Sequence, residues 1–181
     1  MIILLDMDGV IADFNKGFDL AWKKKHPDKQ HVSADARKEF YIKDNYPKKL
    51  APMIEEIYLA PGFTAELPLI EGSLEALAEM EALKLKPFIC TSPLVDSETS
   101  MTEKYQWVLR YLGKSWLKRM IITKDKTLVK GDLLIDDKPE IEGISTPSWE
   151  HIIYDQSYNL QVNGKRRITW KNWKEVILNQ P

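Results

Sequence analysis

Ile2-Ile3-Leu4-Leu5-Asp6-Met7-Asp8-Gly9-Val10 is the stretch on which the fold turns. Its apolar residues run without a break and stop at an aspartate. A strand inside a parallel sheet is covered on both faces, so it reads as a continuous apolar run rather than as an alternation. Ligands of open α/β sheets bind beyond the carboxyl ends of the strands. Asp6 and Asp8 are therefore delivered to the place where a site belongs. Residues two apart in an extended chain point the same way, which aims both carboxylates at one spot. Gly9 then permits a tight turn or a close backbone approach. A chemically idle Asp-Gly turn has the same local spelling, so the rest of the chain has to decide.

Working outward, similar apolar runs occur at Pro87 to Cys90, Leu133 to Ile135 and Ile152 to Tyr154, with a shorter one at Ile121-Ile122. Helical patterns lie among them. Ser73 can cap a helix to about Leu83, with Leu74, Leu77 and Met80 at spacing three. Thr102 can cap another that carries Tyr105, Val108 and Leu112 on one face and ends at Gly113. Thr169 can cap a last one with Trp170, Trp173 and Ile177, tryptophans read as core. Strands alternating with helices predict an α/β fold with a right-handed, Rossmann-like, doubly wound parallel sheet. Residues 15–70 break the alternation: they hold no buried strand and are rich in Lys, Pro and aromatics. That is far beyond the usual ~2–6 residues of a βα loop. The expectation is a small helical cap, 15–70, inserted after the first strand into a core formed by 1–14 and 71–181.

The 181 residues suit one such domain, and a hydrophobic share of 44% is enough for a core. A net charge of -1, from 26 basic and 27 acidic residues, gives no footprint for a nucleic-acid polymer. The runs Lys23-Lys24-Lys25 and Lys165-Arg166-Arg167 read as solvated. Cys90, the one cysteine, sits in Phe88-Ile89-Cys90 and reads as a small buried hydrophobe. His26, His31 and His151 lack metal-ligand spacing. No apolar run approaches the ~20 residues of a membrane span, and the start lacks the basic region of a secretory signal. A cytoplasmic protein with no membrane partner is the expectation.

Three further polar elements follow in order at predicted strand ends. Thr91-Ser92-Pro93 follows Cys90 and can hold phosphate oxygens through hydroxyls and backbone N–H groups. Lys126, in Thr123-Lys124-Asp125-Lys126-Thr127, can neutralise a transferring phosphoryl group. Asp136-Asp137 follows Ile135, and adjacent carboxylates repel unless a cation compensates. Mg²⁺ takes oxygen ligands, and one or two carboxylates beside a substrate phosphate suit it. Each element alone spells an ordinary cap, turn or surface lysine. Their order and placement together do not.

This ordered set resembles the four motifs of haloacid dehalogenase superfamily phosphatases. More narrowly, Ile89-Cys90-Thr91-Ser92-Pro93, Glu103-Lys104-Tyr105-Gln106-Trp107, Asp125-Lys126-Thr127, Asp132 to Asp137 and Thr146 to His151 are similar to the 5′(3′)-deoxyribonucleotidases. The resemblance covers nearly the whole chain. It implies a Mg²⁺-dependent phosphatase acting on nucleoside monophosphates, with Asp6 as nucleophile and Asp8 as general acid and base. Asp6, the Asp8 backbone carbonyl and Asp137 would hold Mg²⁺, with Asp136 behind them. Thr91, Ser92 and Lys126 would bind phosphate, and Phe14, Phe40, Tyr41, Ile42 and Tyr58 would form the cap's substrate pocket. A homodimer is implied as well. Tyr41 and Tyr58 stand where the vertebrate enzymes have tryptophan, and Lys124 where they have arginine. Two other readings use the same residues: a phosphatase for another small phosphoester such as a sugar phosphate, and a non-catalytic binding module on an inherited fold. A sugar phosphate would call for polar cap residues in place of these aromatics. Retention of Asp6, Asp8, Lys126 and Asp137 argues against the binding module.

Overall fold

The structure is a computed structural model, described here for residues 1–179. Six strands form one sheet: β1 Ile2–Leu5, β2 Lys86–Thr91, β3 Met120–Ile122, β4 Leu133–Asp136, β5 Glu150–Tyr154 and β6 Arg167–Ile168. They are ordered β3-β2-β1-β4-β5-β6, and every pairing is parallel. Strand order therefore reverses between β1 and β4, the topological switch point at which doubly wound sheets bind ligands. The expected strands are all present. β6 was not expected, because two residues, one of them an arginine, carry no periodic signal.

Alternate residues of β1 supply opposite faces. Ile3 and Leu5 join the main core, together with Ile89, Ile135 and Ile152 of the neighbouring strands. That face is covered by α3 Ser73–Ala82 through Leu77 and Met80, by α4 Ser100–Tyr111 through Trp107 and Val108, and by α5 Trp173–Leu178 through Trp173 and Ile177. Leu4, Cys90 and Leu134 point the other way and meet Trp149 in a smaller cluster. Burial also pushes the Cys90 thiol up to about 12, so it behaves as packing.

The long connection from β1 to β2 holds no strand. It contains α1 Phe14–Lys25, α2 Ala51–Tyr58 and several 3₁₀ turns before α3. Asp13 starts α1 by accepting the Lys16 N–H at 2.9 Å. Phe18 and Trp22 of α1 and Ile54 of α2 are fully buried and continuous with the sheet's main core. The segment leaves and re-enters as two adjacent backbones: Asp13 N donates to Pro68 O at 2.7 Å and Ile70 N to Ile11 O at 2.8 Å.

Three helix starts differ from expectation. Gly72, at φ +83°, stands at the cap of α3, and Ser73 is its first residue. Helix α4 begins two residues before Thr102, and Ser100 Oγ instead accepts the Leu94 N–H at 3.0 Å. Its buried face runs through Ser100, Glu103, Lys104, Trp107 and Val108, while Tyr105 is exposed. Helix α5 starts after Asn172, whose side-chain oxygen accepts the Thr169 N–H at 2.7 Å.

Candidate active site

Asp6 continues β1 by one residue and its N–H donates to Ile135 O at 2.9 Å, which ties it to β4 across the switch point. The chain then folds back sharply. Ile11 N and Ala12 N both donate to Met7 O, at 2.9 and 2.8 Å, and Gly9 N donates to Ala12 O at 2.8 Å. Gly9 sits at φ +79°, and a Cβ there would run into the Asp137 carboxylate. The turn thus requires glycine twice, for its conformation and for the close approach.

The carboxylates of Asp6, Asp136 and Asp137 each offer an oxygen within 4.8 Å of the others. Asp136 and Asp137 are buried. Lys126 faces them from a 3₁₀ turn, Lys126–Leu128, started by Asp125, which accepts the Thr127 N–H at 2.9 Å. The Lys126 ammonium lies 2.5 Å from Asp136 Oδ2 and 2.9 Å from Asp6 Oδ1. Burial would depress its pKa, but Asp136 and Asp6 outweigh burial and raise it. Asp137 is pushed well above the usual carboxylate range by burial first, then by the charges of Asp136 and Asp6. Burial likewise lifts Asp136 to about 6, against the pull of Lys126.

Three carboxylates thus crowd together with one lysine, which contacts only Asp6 and Asp136, and Asp8 Oδ1 is buried without a hydrogen-bond partner. An all-oxygen donor set with surplus negative charge fits a hard divalent cation such as Mg²⁺.

Asp8 points to a different partner. Lys104, fully buried on α4, donates to Asp8 Oδ2 at 2.7 Å and to Thr91 Oγ1 at 3.0 Å. Burial raises the Asp8 pKa, Lys104 draws it down and Asp6 pushes it up, for a net rise. Thr91 is buried behind this pair. Ser92 lines the cavity, with its hydroxyl donating to Thr123 O at 2.9 Å.

The site opens into a cavity of about 670 Å³ whose floor holds Asp6, Asp8, Lys126, Asp136 and Asp137. Phe14, Phe40, Tyr41, Ile42 and Tyr58 all line it. Phe14 and Tyr58 have ring centroids 6.1 Å apart, and Phe40 meets Tyr41 edge-on at 5.1 Å. Lys124 lies on the wall near Pro93, and charged Lys43 and Glu55 pair at 2.7 Å on the side of the long β1–β2 connection.

Sequence reasoning gave no role to three residues here, although Glu103 and Lys104 lie in a stretch that carries the resemblance. Lys104 could have been found as a lysine three residues before Trp107 on a buried helical stripe. Glu103 accepts the N–H groups of Gly62, Thr64 and Ala65 at 2.7, 2.9 and 3.3 Å, and so holds the inserted segment to α4. Tyr158 donates its hydroxyl to Asp137 Oδ2. The last two contacts span 38 to 41 and 21 residues of sequence and have no local signature.

A family model described as "5′ nucleotidase, deoxy (Pyrimidine), cytosolic type C protein" matches residues 1–180. A Bordetella pertussis protein carrying a provisional 5′(3′)-deoxyribonucleotidase name is 48% identical over 180 residues, 99% of this chain and 97% of its own. The human "5′(3′)-deoxyribonucleotidase, cytosolic type" is 40% identical over 97% of this chain and 92% of its own. Among solved structures, a haloacid dehalogenase family hydrolase from Deinococcus radiodurans, crystallised with phosphate and sodium, superposes with a TM-score of 0.54. It covers 93% of this chain and 90% of its own at 12% identity, a likeness of fold alone.

Proposed function

The chain belongs to the deoxy 5′-nucleotidase, cytosolic type C family, a family of phosphoric monoester hydrolases, and from that premise we propose the substrate, the residues and the metal of its reaction. The substrate is a 2′-deoxyribonucleoside monophosphate, and the products are the nucleoside and inorganic phosphate. The observation that carries the reading is Asp6 gathered with Lys126 and the Asp136–Asp137 pair in an aromatic-walled cavity.

Asp6 attacks phosphorus, the bond to the sugar oxygen breaks, and Asp8 gives that oxygen its proton. Asp8 then takes a proton from the water that cleaves the aspartyl-phosphate, and Asp6 is regenerated. Splitting one displacement into two is the benefit of a covalent intermediate. The raised pKa of Asp8 suits a residue that must start protonated, and Lys104 fixes its position. Lys126 balances charge on the transferring group, with Ser92 and Thr91 on the phosphate side. Mg²⁺, when bound, screens the repulsion between an anionic nucleophile and an anionic phosphate. Asp6, the Asp8 carbonyl and Asp137 would hold it, with Asp136 behind them and committed to Lys126.

Residues 15–70 serve as the cap, whose Phe40, Tyr41, Ile42 and Tyr58, with Phe14 of the core at its edge, offer flat and apolar surface to a nucleobase. We place the protein in the cytoplasm, as a homodimer by analogy with its family. An apolar wall near C2′ would strand a 2′-hydroxyl, at a cost of ~1–3 kcal/mol. The deoxy preference is therefore about tenfold to a hundredfold.

A phosphate-release panel over deoxy- and ribonucleoside monophosphates, with sugar phosphates included, tests this reading. A kcat/KM ratio of dUMP over UMP within that range is expected. A ratio at or below one, or faster turnover of a sugar phosphate, would reject the deoxynucleotide assignment.

A further inference from the structure

The residue that aims the proposed metal carboxylate comes from outside the four motifs. Beyond β5 the chain enters a short 3₁₀ turn, Ser157–Asn159, whose side chains all reach elsewhere. Gln156 Nε2 donates to Gly9 O at 2.7 Å, on the turn that carries Asp8. Asn159 Nδ2 donates to Asp137 O at 2.7 Å and to Tyr154 O at 2.9 Å. Between them, Tyr158 is buried and donates its hydroxyl to Asp137 Oδ2. One turn thus grips Asp137 by backbone and by side chain, and the nucleophile loop by its backbone.

The same turn faces the inserted segment. Ser157 Oγ donates to Ala34 O at 2.6 Å, and the Phe40 ring meets Tyr158 edge-on at 5.7 Å.

We infer that Tyr158 is a positioning residue for the metal-binding carboxylate of Asp137, and that the inserted segment, through the Phe40 ring, backs Tyr158 in that role. This rests on the reading of Asp137 as a metal ligand. A carboxylate with one oxygen tied down keeps a single orientation, and the other oxygen is presented to the cation without a rotamer search. Partners of this kind, behind the ligands, are worth roughly 10–100-fold in metal affinity.

Tyr158→Phe removes one oxygen and keeps the ring's packing. Mg²⁺ binding to the substrate-free protein would be measured by titration calorimetry for wild type, Tyr158→Phe and Asp137→Asn, with thermal unfolding in chelator as the check on folding. Affinity in Tyr158→Phe should fall about tenfold or more, while the melting temperature in chelator stays cooperative and near wild type. In turnover, the Mg²⁺ concentration for half-activation should rise by about the same factor, and kcat at saturating Mg²⁺ should fall less than about threefold, because excess metal restores occupancy. Wild-type affinity in Tyr158→Phe with lost binding in Asp137→Asn would overturn the role of Tyr158 alone. Wild-type affinity in both would overturn the metal site as well. Should Tyr158→Phe lose cooperative unfolding, Phe40→Leu carries the test through the ring that backs the phenol. Its Mg²⁺ affinity should fall severalfold, and unchanged affinity would overturn the proposal.

Discussion

Two carboxylates two residues apart hold different assignments because their surroundings differ. Asp6 meets Lys126 and the Asp136–Asp137 pair, whereas Asp8 meets Lys104. Asp6→Asn should abolish turnover, since an amide is a far poorer nucleophile, and it should not lower stability in chelator, because it removes one of three crowded carboxylates. Phosphate release together with a thermal melt checks both halves, and near-normal release by the folded variant would exclude Asp6 as nucleophile. Asp8→Asn should lose the ~10²–10⁴-fold of general acid–base help. The loss should shrink for an aryl phosphate, whose leaving group needs no proton. Equal losses for aryl and alkyl phosphates would count against Asp8 as the donor. At this scale the sequence was readable where chemistry repeats locally. Asp6, Asp8, Lys126 and Asp137 stand at strand ends that apolar runs announce, whereas Lys104 and Tyr158 matter only because distant segments meet them.

Helix α4 shows what joins elements together. Two adjacent residues on its buried face work in opposite directions, Lys104 toward Asp8 and Glu103 toward the backbone of residues 62–65. Burial would raise the Glu103 pKa, but hydrogen bonds from Thr99 and from the Gly62, Ala65 and Thr64 N–H groups outweigh it and hold the pKa below its ordinary value. For a carboxylate depressed in the folded state, the stabilisation is present above the unfolded pKa, near 4.5, and is lost as pH falls through the lower folded value. Glu103→Gln should therefore be less stable at neutral pH by about 1.5–3 kcal/mol, the worth of hydrogen bonds to a charged group. Its deficit should narrow on acidification below pH ~4.5. Urea melts at pH 7 and pH 4 measure both, and a deficit that does not narrow would show that the bonds do not depend on charge. The sequence reading placed α4 but assigned Tyr105 to its inner face, because an apolar triplet outweighed a buried pair of opposite charges. The strands escaped this error, since their parallel burial leaves an unbroken apolar run, and β6 was too short to leave one.

Across the whole molecule, the switch point gathers negative charge that the protein alone does not balance. Asp136 and Asp137 have raised pKa values in the folded state, so their stabilising protonation is present at low pH and is lost as pH rises, through about 6 for Asp136. A cation and protons then compete for the same relief. Mg²⁺ should raise the melting temperature at pH 7.5, and the rise should shrink at pH 5.5, where protons already occupy part of the site. His151, lowered to about 4 by burial and then by Lys165, destabilises the fold as pH falls below 6.5, with or without metal, and so cancels in the difference. Melts with and without Mg²⁺ at both pH values settle it, and a shift that grows at pH 5.5 would contradict the carboxylate site.

The two backbones that tie the inserted segment to the sheet also bear on how such a protein can diversify. Asp13 N and Pro68 O lie 2.7 Å apart, so the 54 residues from 14 to 67 enter and leave at one point. An exchange of this segment between relatives needs no new path for the chain, which is the condition under which insertions are tolerated. Topology sets few limits on such a graft, and packing sets many. Phe18, Trp22 and Ile54 belong to the same core as β1, and Glu103 and Tyr158 reach across to the segment's backbone and side chains. A transplanted segment must therefore bring its own match to that apolar underside, its own acceptor-free amides for Glu103, and its own neighbour for the phenol. The lining of the cavity and the surroundings of Asp137 are consequently inherited as one unit.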